Sequence, residues 1–120
     1  MSIAAELGAI ADELGAAGIP ATVHPTDVWT LAAQQDTAVA LVGVPESVQL
    51  VNMPGRVRLE VPVTLTARGP DVDGHLRLFA ALPAALWALR SQTPARPVRF
   101  TRGDTSMPAY EITCLRDVED

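Results

Sequence analysis

Between Gly55 and Gly69 apolar and polar side chains alternate with a strict period of two. Val57, Leu59, Val61, Val63 and Leu65 fall on one side, and Arg56, Arg58, Glu60, Thr64 and Thr66 on the other. That period belongs to an extended chain, so residues 56–68 are predicted to form one long strand with an apolar and a polar face. At ~3.3 Å per residue it spans roughly 40 Å, far beyond an ordinary strand. Upstream, Ile3, Leu7, Ile10 and Leu14 recur at four-three-four spacing, the signature of one helical stripe. Ser2 can cap this helix, and Gly18 followed by Pro20 ends it near Ala17.

The segment between these elements is less regular. Ala21 to His24 reads as a short strand, and Pro25 to Asp36 as a loop with a turn of helix. Thr37 to Val44 is a continuous apolar run of strand length, as expected of a central strand buried on both faces. Residues 47–51 should then pair with 56–68 as an antiparallel hairpin. Its turn is Asn52-Met53-Pro54-Gly55, where proline and glycine suit the central positions of a type II turn.

After Gly69 a helix should begin near Asp71 or Asp73 and run to about residue 90. Leu76, Phe79, Leu82, Leu86 and Leu89 are its predicted buried stripe. Pro83 removes one backbone hydrogen bond inside it at a cost of roughly 3 kcal/mol, so a kink or two shorter helices are expected. Pro97 to Thr101 and Ala109 to Arg116 form a terminal hairpin, with Val98 and Phe100 facing Tyr110, Ile112 and Cys114. The acidic residues after Arg116 should fray.

The sum is a single α+β domain over 1–120, with a mainly antiparallel mixed sheet and two helices, 3–17 and 72–90, on one face. Its expected core is Leu7, Ile10, Leu14, Val39, Leu41, Val57, Leu59, Val61, Val63, Leu76, Phe79, Leu86, Phe100 and Ile112.

Composition narrows the chemistry. A net charge of -5 argues against a dedicated nucleic-acid binder. All nine basic residues are arginine, which fits coding in a GC-rich genome. Glu6, Asp12 and Glu13 near the start do not fit a secretory leader, and the apolar runs are too short to span a membrane, so a soluble chain is expected. His24 and His75 have no cysteine or second histidine at ligand spacing and read as surface or helix-start residues. Cys114, alternating with Ile112, reads as a small buried hydrophobe. Arg102-Gly103-Asp104 matches an adhesion tripeptide but sits where Gly-Asp is ordinary turn chemistry. No phosphate loop, nucleophile elbow or carboxylate dyad is present, so neither catalysis nor a cofactor is expected.

The arginines leave two readings open. Arg56, Arg58 and Arg68 share the polar strand face with Glu60, either as a solvated face that blocks edge aggregation or as a subunit interface. The candidate interface sets Arg56, Arg58 and Arg68 of the long strand, and Arg99 and Arg102 of the hairpin, against Glu60, Asp104 and Glu111.

The opening helix, the strand RVRLEVPVTLTAR, the helix DGHLRLFAALPAALWAL and the ending PVRFTRGDTSMPAYEITC, taken in that order, resemble the tail-terminator (tail-completion) proteins of long-tailed bacteriophages, particularly those of actinobacterial hosts. The likeness is clearest over 55–115. It implies a non-enzymatic virion subunit, made in the host cytoplasm, that forms a hexameric ring at the tail neck. Such a ring caps the major tail-tube protein, ends tube polymerisation and meets the head-completion proteins, while DNA passes through its lumen without specific binding. The alternatives are another head–tail connector or minor tail protein, and a small ligand-binding α+β domain.

Overall fold

The computed structural model describes residues 2–51, 55–69, 71–103 and 105–119. The elements among them are α1 (Ile3–Ala16), β1 (Ala21–Thr22), α2 (Asp27–Gln34), β2 (Val39–Val42), β3 (Ser47–Leu50), β4 (Arg56–Thr66), α3 (Asp71–Leu89), β5 (Arg96–Arg102) and β6 (Thr105–Glu119). This is an α+β fold on a mixed sheet of order β1-β2-β4-β6-β5. β3 shares with β2 the same edge of β4, and among the described residues only the β1–β2 pair is parallel. The described turn residue Gly55 has φ +78°, a conformation open to glycine; Asn52, Met53 and Pro54 lie outside the described residues.

The alternation of β4 is realised as expected. Leu59, Val61, Val63 and Leu65 are fully buried and Val57 partly so, while Arg58 on the other face is exposed. α1 and α3 cover the apolar face. α1 begins with the Ser2 hydroxyl accepting from the Ala5 amide at 3.0 Å. It ends at the turn through Gly18, where the Ile19 amide donates to the Leu14 carbonyl at 2.9 Å. Its Ile10 and Leu14 join Ile112, Cys114 and the β4 side chains in the main core. Each such fully buried aliphatic contributes about 1.5–3 kcal/mol.

Proline inside a paired strand normally breaks a ladder, yet Pro62 sits in the middle of β4. Its carbonyl accepts from the Gly43 amide at 2.8 Å, on the edge where β2 has ended and β3 has not begun. The missing N–H therefore falls opposite Gly43, just past the end of β2, so no ladder bond within β2 or β3 is lost. Gly43 is tied to the same crossing, because a Cβ there would lie 3.0 Å from the Pro62 ring.

The structure corrects several sequence expectations. Residues 25–36 are not mainly loop: α2 packs on the opposite face of the sheet from α1 and α3. There Val28 and Ala32 meet Val39 and Met107, and Trp29 stacks on Phe100 with centroids 5.2 Å apart. Two apolar residues four apart give too short a stripe to stand out in sequence.

Val98 pairs with Ala109 and Phe100 with Met107, which puts both on the α2 face, away from Tyr110, Ile112 and Cys114. A shift of one residue in the expected register accounts for the error, since it flips every side chain to the other face. Nor do Asp117 to Glu119 fray after Arg116; Asp120 lies outside the described residues. Asp117, Val118 and Glu119 continue β6 opposite Arg58, Val57 and Arg56, and Val118 is buried. At ~3.3 Å per residue, β6 extends for roughly 50 Å, close to the 48 Å long axis of the molecule.

α3 runs as one helix through Pro83 rather than as two. Pro83 lies on the exposed side, where water can serve the Phe79 carbonyl that has lost its N–H partner. The predicted buried stripe of α3 is also wrong at two positions: Leu76 and Phe79 are 60% and 51% exposed. The residues facing the sheet are instead Gly74, Leu78, Ala85 and Leu89, with Ala81 and Leu82 beside them.

Gly74 shows why. A Cβ at that position would stand 2.7 Å from the buried Pro108 ring, so only glycine lets the first turn of α3 approach β6 this closely. Gly74→Ala is expected to destabilise the fold by about 1 kcal/mol. Overpacking costs about 1–3 kcal/mol and the helix propensity of alanine returns about 1. Urea denaturation checks this; a more stable variant would mean that α3 does not press on Pro108.

Candidate interaction surfaces

With its small-residue stripe turned to the sheet, α3 carries a second apolar stripe outward. Val72, Leu76, Phe79, Pro83 and Trp87 follow four-three-four-four spacing, which keeps them on one helical face. All are exposed, Val72 by 72% and Trp87 by 86%. Phe79 also meets the His75 ring at 5.8 Å and the edge of Tyr110 at 6.2 Å, which links the stripe to β6. At the end of α3, Arg90 adopts the left-handed φ of +51°, its amide donating to the Trp87 carbonyl while that of Ser91 donates to Leu86. This is a helix stop usually made by glycine, here placing an arginine beside Trp87.

The candidate interface arginines are largely engaged within the chain. Arg58 on β4 holds Asp117 on β6 through Nε at 2.9 Å and a second nitrogen at 3.3 Å. Arg68 donates to the Gln35 carbonyl at 2.9 Å and to Asp36 at 2.6 Å, and so straps the end of α2 to the chain leaving β4. Arg77 reinforces this strap by donating to the carbonyls of Asp36 and Arg68 at 3.0 Å each. Arg99 lies within 3.4 Å of the Ser106 hydroxyl.

Arg56 and Glu60 stand opposite Glu119 and Leu115, and Glu111 lies between Thr64 and Arg96. Arg102 pairs with Thr105 through its backbone; its side chain and Asp104 lie outside the described residues. The structure therefore does not gather the candidate set into one patch. Arg56, Arg58 and Glu60 sit beside one end of β6, and Arg99 beside the other.

The Arg58 hydrogen bond, with its charge, holds the Asp117 carboxyl below the usual carboxylate range. A depressed carboxyl contributes stability above its unfolded pKa and loses it as pH falls through the folded one, so this clamp should open only in acid below about pH 4. In a carbon-detected NMR titration Arg58→Gln is expected to move the Asp117 midpoint upward. An unchanged midpoint would show that the pair does not persist in solution.

A third feature lies under α1. Arg116 on β6 grips Glu13 with both terminal nitrogens, at 2.7 and 3.0 Å, and its Nε lies 3.2 Å from the Cys114 sulfur. Glu6 is 3.8 Å away. Burial works against the guanidinium charge, but the hydrogen bonds to Glu13 and Cys114 outweigh it and raise the Arg116 pKa. Beside it is a cleft of about 420 Å³ lined by Arg90, Gln92, Thr93, Thr113 and Asp117, among others. Among the described residues no group of three or more His, Cys, Asp or Glu is placed to hold a metal ion, and no helix is long and apolar enough to cross a membrane.

Charge is unevenly divided along the chain. Residues 1–55 contain six acidic residues and neither arginine nor lysine, whereas 74–103 contain five arginines and no acidic residue. The acidic segment builds β1, β2 and β3 on one edge of β4, with α1 and α2, while the basic one builds α3 and the opposite edge strand β5.

No protein-family model, curated protein or solved structure matches this chain.

Proposed function

We propose that the protein is a structural subunit that assembles with copies of itself into a ring, of the kind that terminates the tail tube of a long-tailed bacteriophage. The observation that carries the assembly is the outward stripe of α3. A single helix face presenting Val72, Leu76, Phe79 and Trp87 to water is an association surface, since soluble monomers rarely leave so contiguous an apolar patch uncovered. The tail-terminator reading draws its support from the element order behind the sequence resemblance: an opening helix, a long amphipathic strand, a proline-containing helix and a closing hairpin. In this reading one face of the ring meets the tube and the other meets the head-completion proteins.

The test has two arms. Native mass spectrometry with negative-stain imaging is expected to find closed rings, alone or on tail tubes. Added to polymerising tube protein, the chain is expected to limit tube length. A chain that stays monomeric at high concentration and in the presence of tubes would sink the proposal. Rings that ignore tubes would remove the terminator role and leave another connector.

A further inference from the structure

We infer that copies join by strand addition: the outer edge of β3 of one copy pairs, in parallel, with the free half of β6 of the next. This rests on the reading that the chain self-assembles, and it names the two edges that meet. β5 begins opposite Glu111, whereas β6 runs on to Glu119. Among the described residues Ile112 to Glu119 thus have a strand partner on the β4 side alone. Pro62 shows which groups face the open side. It stands opposite Thr113 and turns its carbonyl away from β6, to the Gly43 amide. Residues opposite each other in an antiparallel pair either exchange both bonds or turn both away. Thr113 therefore points its N–H and C=O to the open side, as do Leu115 and Asp117 at every second residue. No backbone hydrogen bond among the described residues meets them there. By the same alternation Arg56 and Glu60 turn their carbonyls to the β3 side, accepting from Val51 and Glu46, which leaves Val48 and Leu50 pointing outward from β3.

The two edges flank the same end of β4 on opposite sides, and proline blunts neither. Sheets guard their edges with proline or with shortness. β5 turns Pro97 outward and β1 has two residues, but 47–50 and 113–117 contain no proline. The occupant is a second copy because the two edges fit each other. β3 and β6 both run antiparallel to β4, and so in one direction. The rotation that relates neighbours in a ring preserves strand direction and sheet face, so it brings β3 to β6 as a parallel neighbour. In a parallel pair each residue bonds to the two that flank its opposite number, so the bonding groups come from residues on opposite faces. Here they do: Leu115 shares a face with Glu60, whereas Val48 and Leu50 share the α3 face with Leu59 and Val57. On that face the cleft of about 420 Å³ runs along the open edge, between Leu115 and Arg116 on one side and Leu89, Arg90 and Thr93 on the other. Val48 and Leu50, 52% and 82% exposed, are the apolar side chains that parallel pairing lays into it, with Trp87 of the α3 stripe beside Arg90. A two-fold β6–β6 contact would leave both in water and close after two copies.

Proline at an outward amide tests the pairing, since it removes a donor that the β4 ladder does not use. Leu115→Pro blocks the β6 edge and Val48→Pro the β3 edge, with circular dichroism to check that each folds. With the parent assembled, each variant alone is expected to be monomeric by native mass spectrometry. Mixed, they are expected to stop at one-to-one dimers, because one intact edge of each kind remains. Hydrogen exchange of the parent decides even where a variant does not fold: on assembly the amides of Val48, Leu50, Thr113, Leu115 and Asp117 are expected to slow together. If both variants still assemble, if their mixture stays monomeric, or if these amides exchange as fast in the ring as in the monomer, strand addition is overturned while self-assembly stands. If Leu115→Pro alone breaks the assembly, β6 pairs with itself and the inference fails. A monomeric parent overturns self-assembly itself.

Discussion

Replacing Leu78 by alanine is expected to destabilise the protein by about 3 kcal/mol, whereas the same change at Leu76 should cost under about 0.5. The two leucines are two residues apart on α3 and equally hydrophobic, so the contrast isolates which side of the helix faces the sheet. Leu78 is fully buried in the main core beside Leu65 and Ile112, and its truncation removes apolar contact and leaves a cavity. Leu76 is 60% exposed, and alanine is the better helix former. For a domain of this size about 4 °C accompanies each kcal/mol, so Leu78→Ala should lower Tm by roughly 12 °C. Calorimetry at low concentration, where association does not contribute, measures both variants. A larger loss at Leu76 would mean that α3 packs through its other stripe, and the proposed assembly would lose its surface.

Arg116→Ala is expected to cost about 2 kcal/mol. Removing one member of a buried ion pair costs about 3–5 kcal/mol, mainly because the remaining charge is left without compensation. Here the penalty is smaller, since the Arg116 and Glu13 side chains keep 21% and 42% of their exposure and water can reach the abandoned carboxylate. The double variant Arg116→Met, Glu13→Gln should therefore recover most of the loss, because it removes both charges and keeps the apolar stem over Cys114. Urea denaturation of the single and double variants gives the coupling between the two positions. A double variant as weak as Arg116→Ala would show that the guanidinium acts through packing rather than through its carboxylate.

How far the chain was legible follows from how many physical constraints each segment carries. β4 could be read to within a residue or two because burial of one face and the two-residue period leave one register. α1 was equally plain, with its cap, its stripe and its glycine stop in agreement. α2 was hidden because eight residues hold little periodic signal and its packing depends on Phe100 and Met107, some 70 residues away in the chain. The end of β6 was read as a frayed acidic tail because its partners, Arg56 and Arg58, precede it by nearly 60 residues.

α3 is the instructive case. Its sequence contains two apolar stripes, and hydrophobicity alone favours the bulkier one for the core. The signal for the other was present in Gly74, Ala81 and Ala85, small residues at helical spacing that make a flat face for close approach.

The sequence by itself thus determined the fold class, the long central strand and its buried face, and the opening helix, since each depends on local periodicity and on caps within a few residues. Only the tertiary structure decided which side of α3 faces water, which arginines are consumed by internal pairs and which face of the sheet α2 covers. Those outcomes depend on contacts between residues tens of positions apart, whose geometry no local pattern encodes.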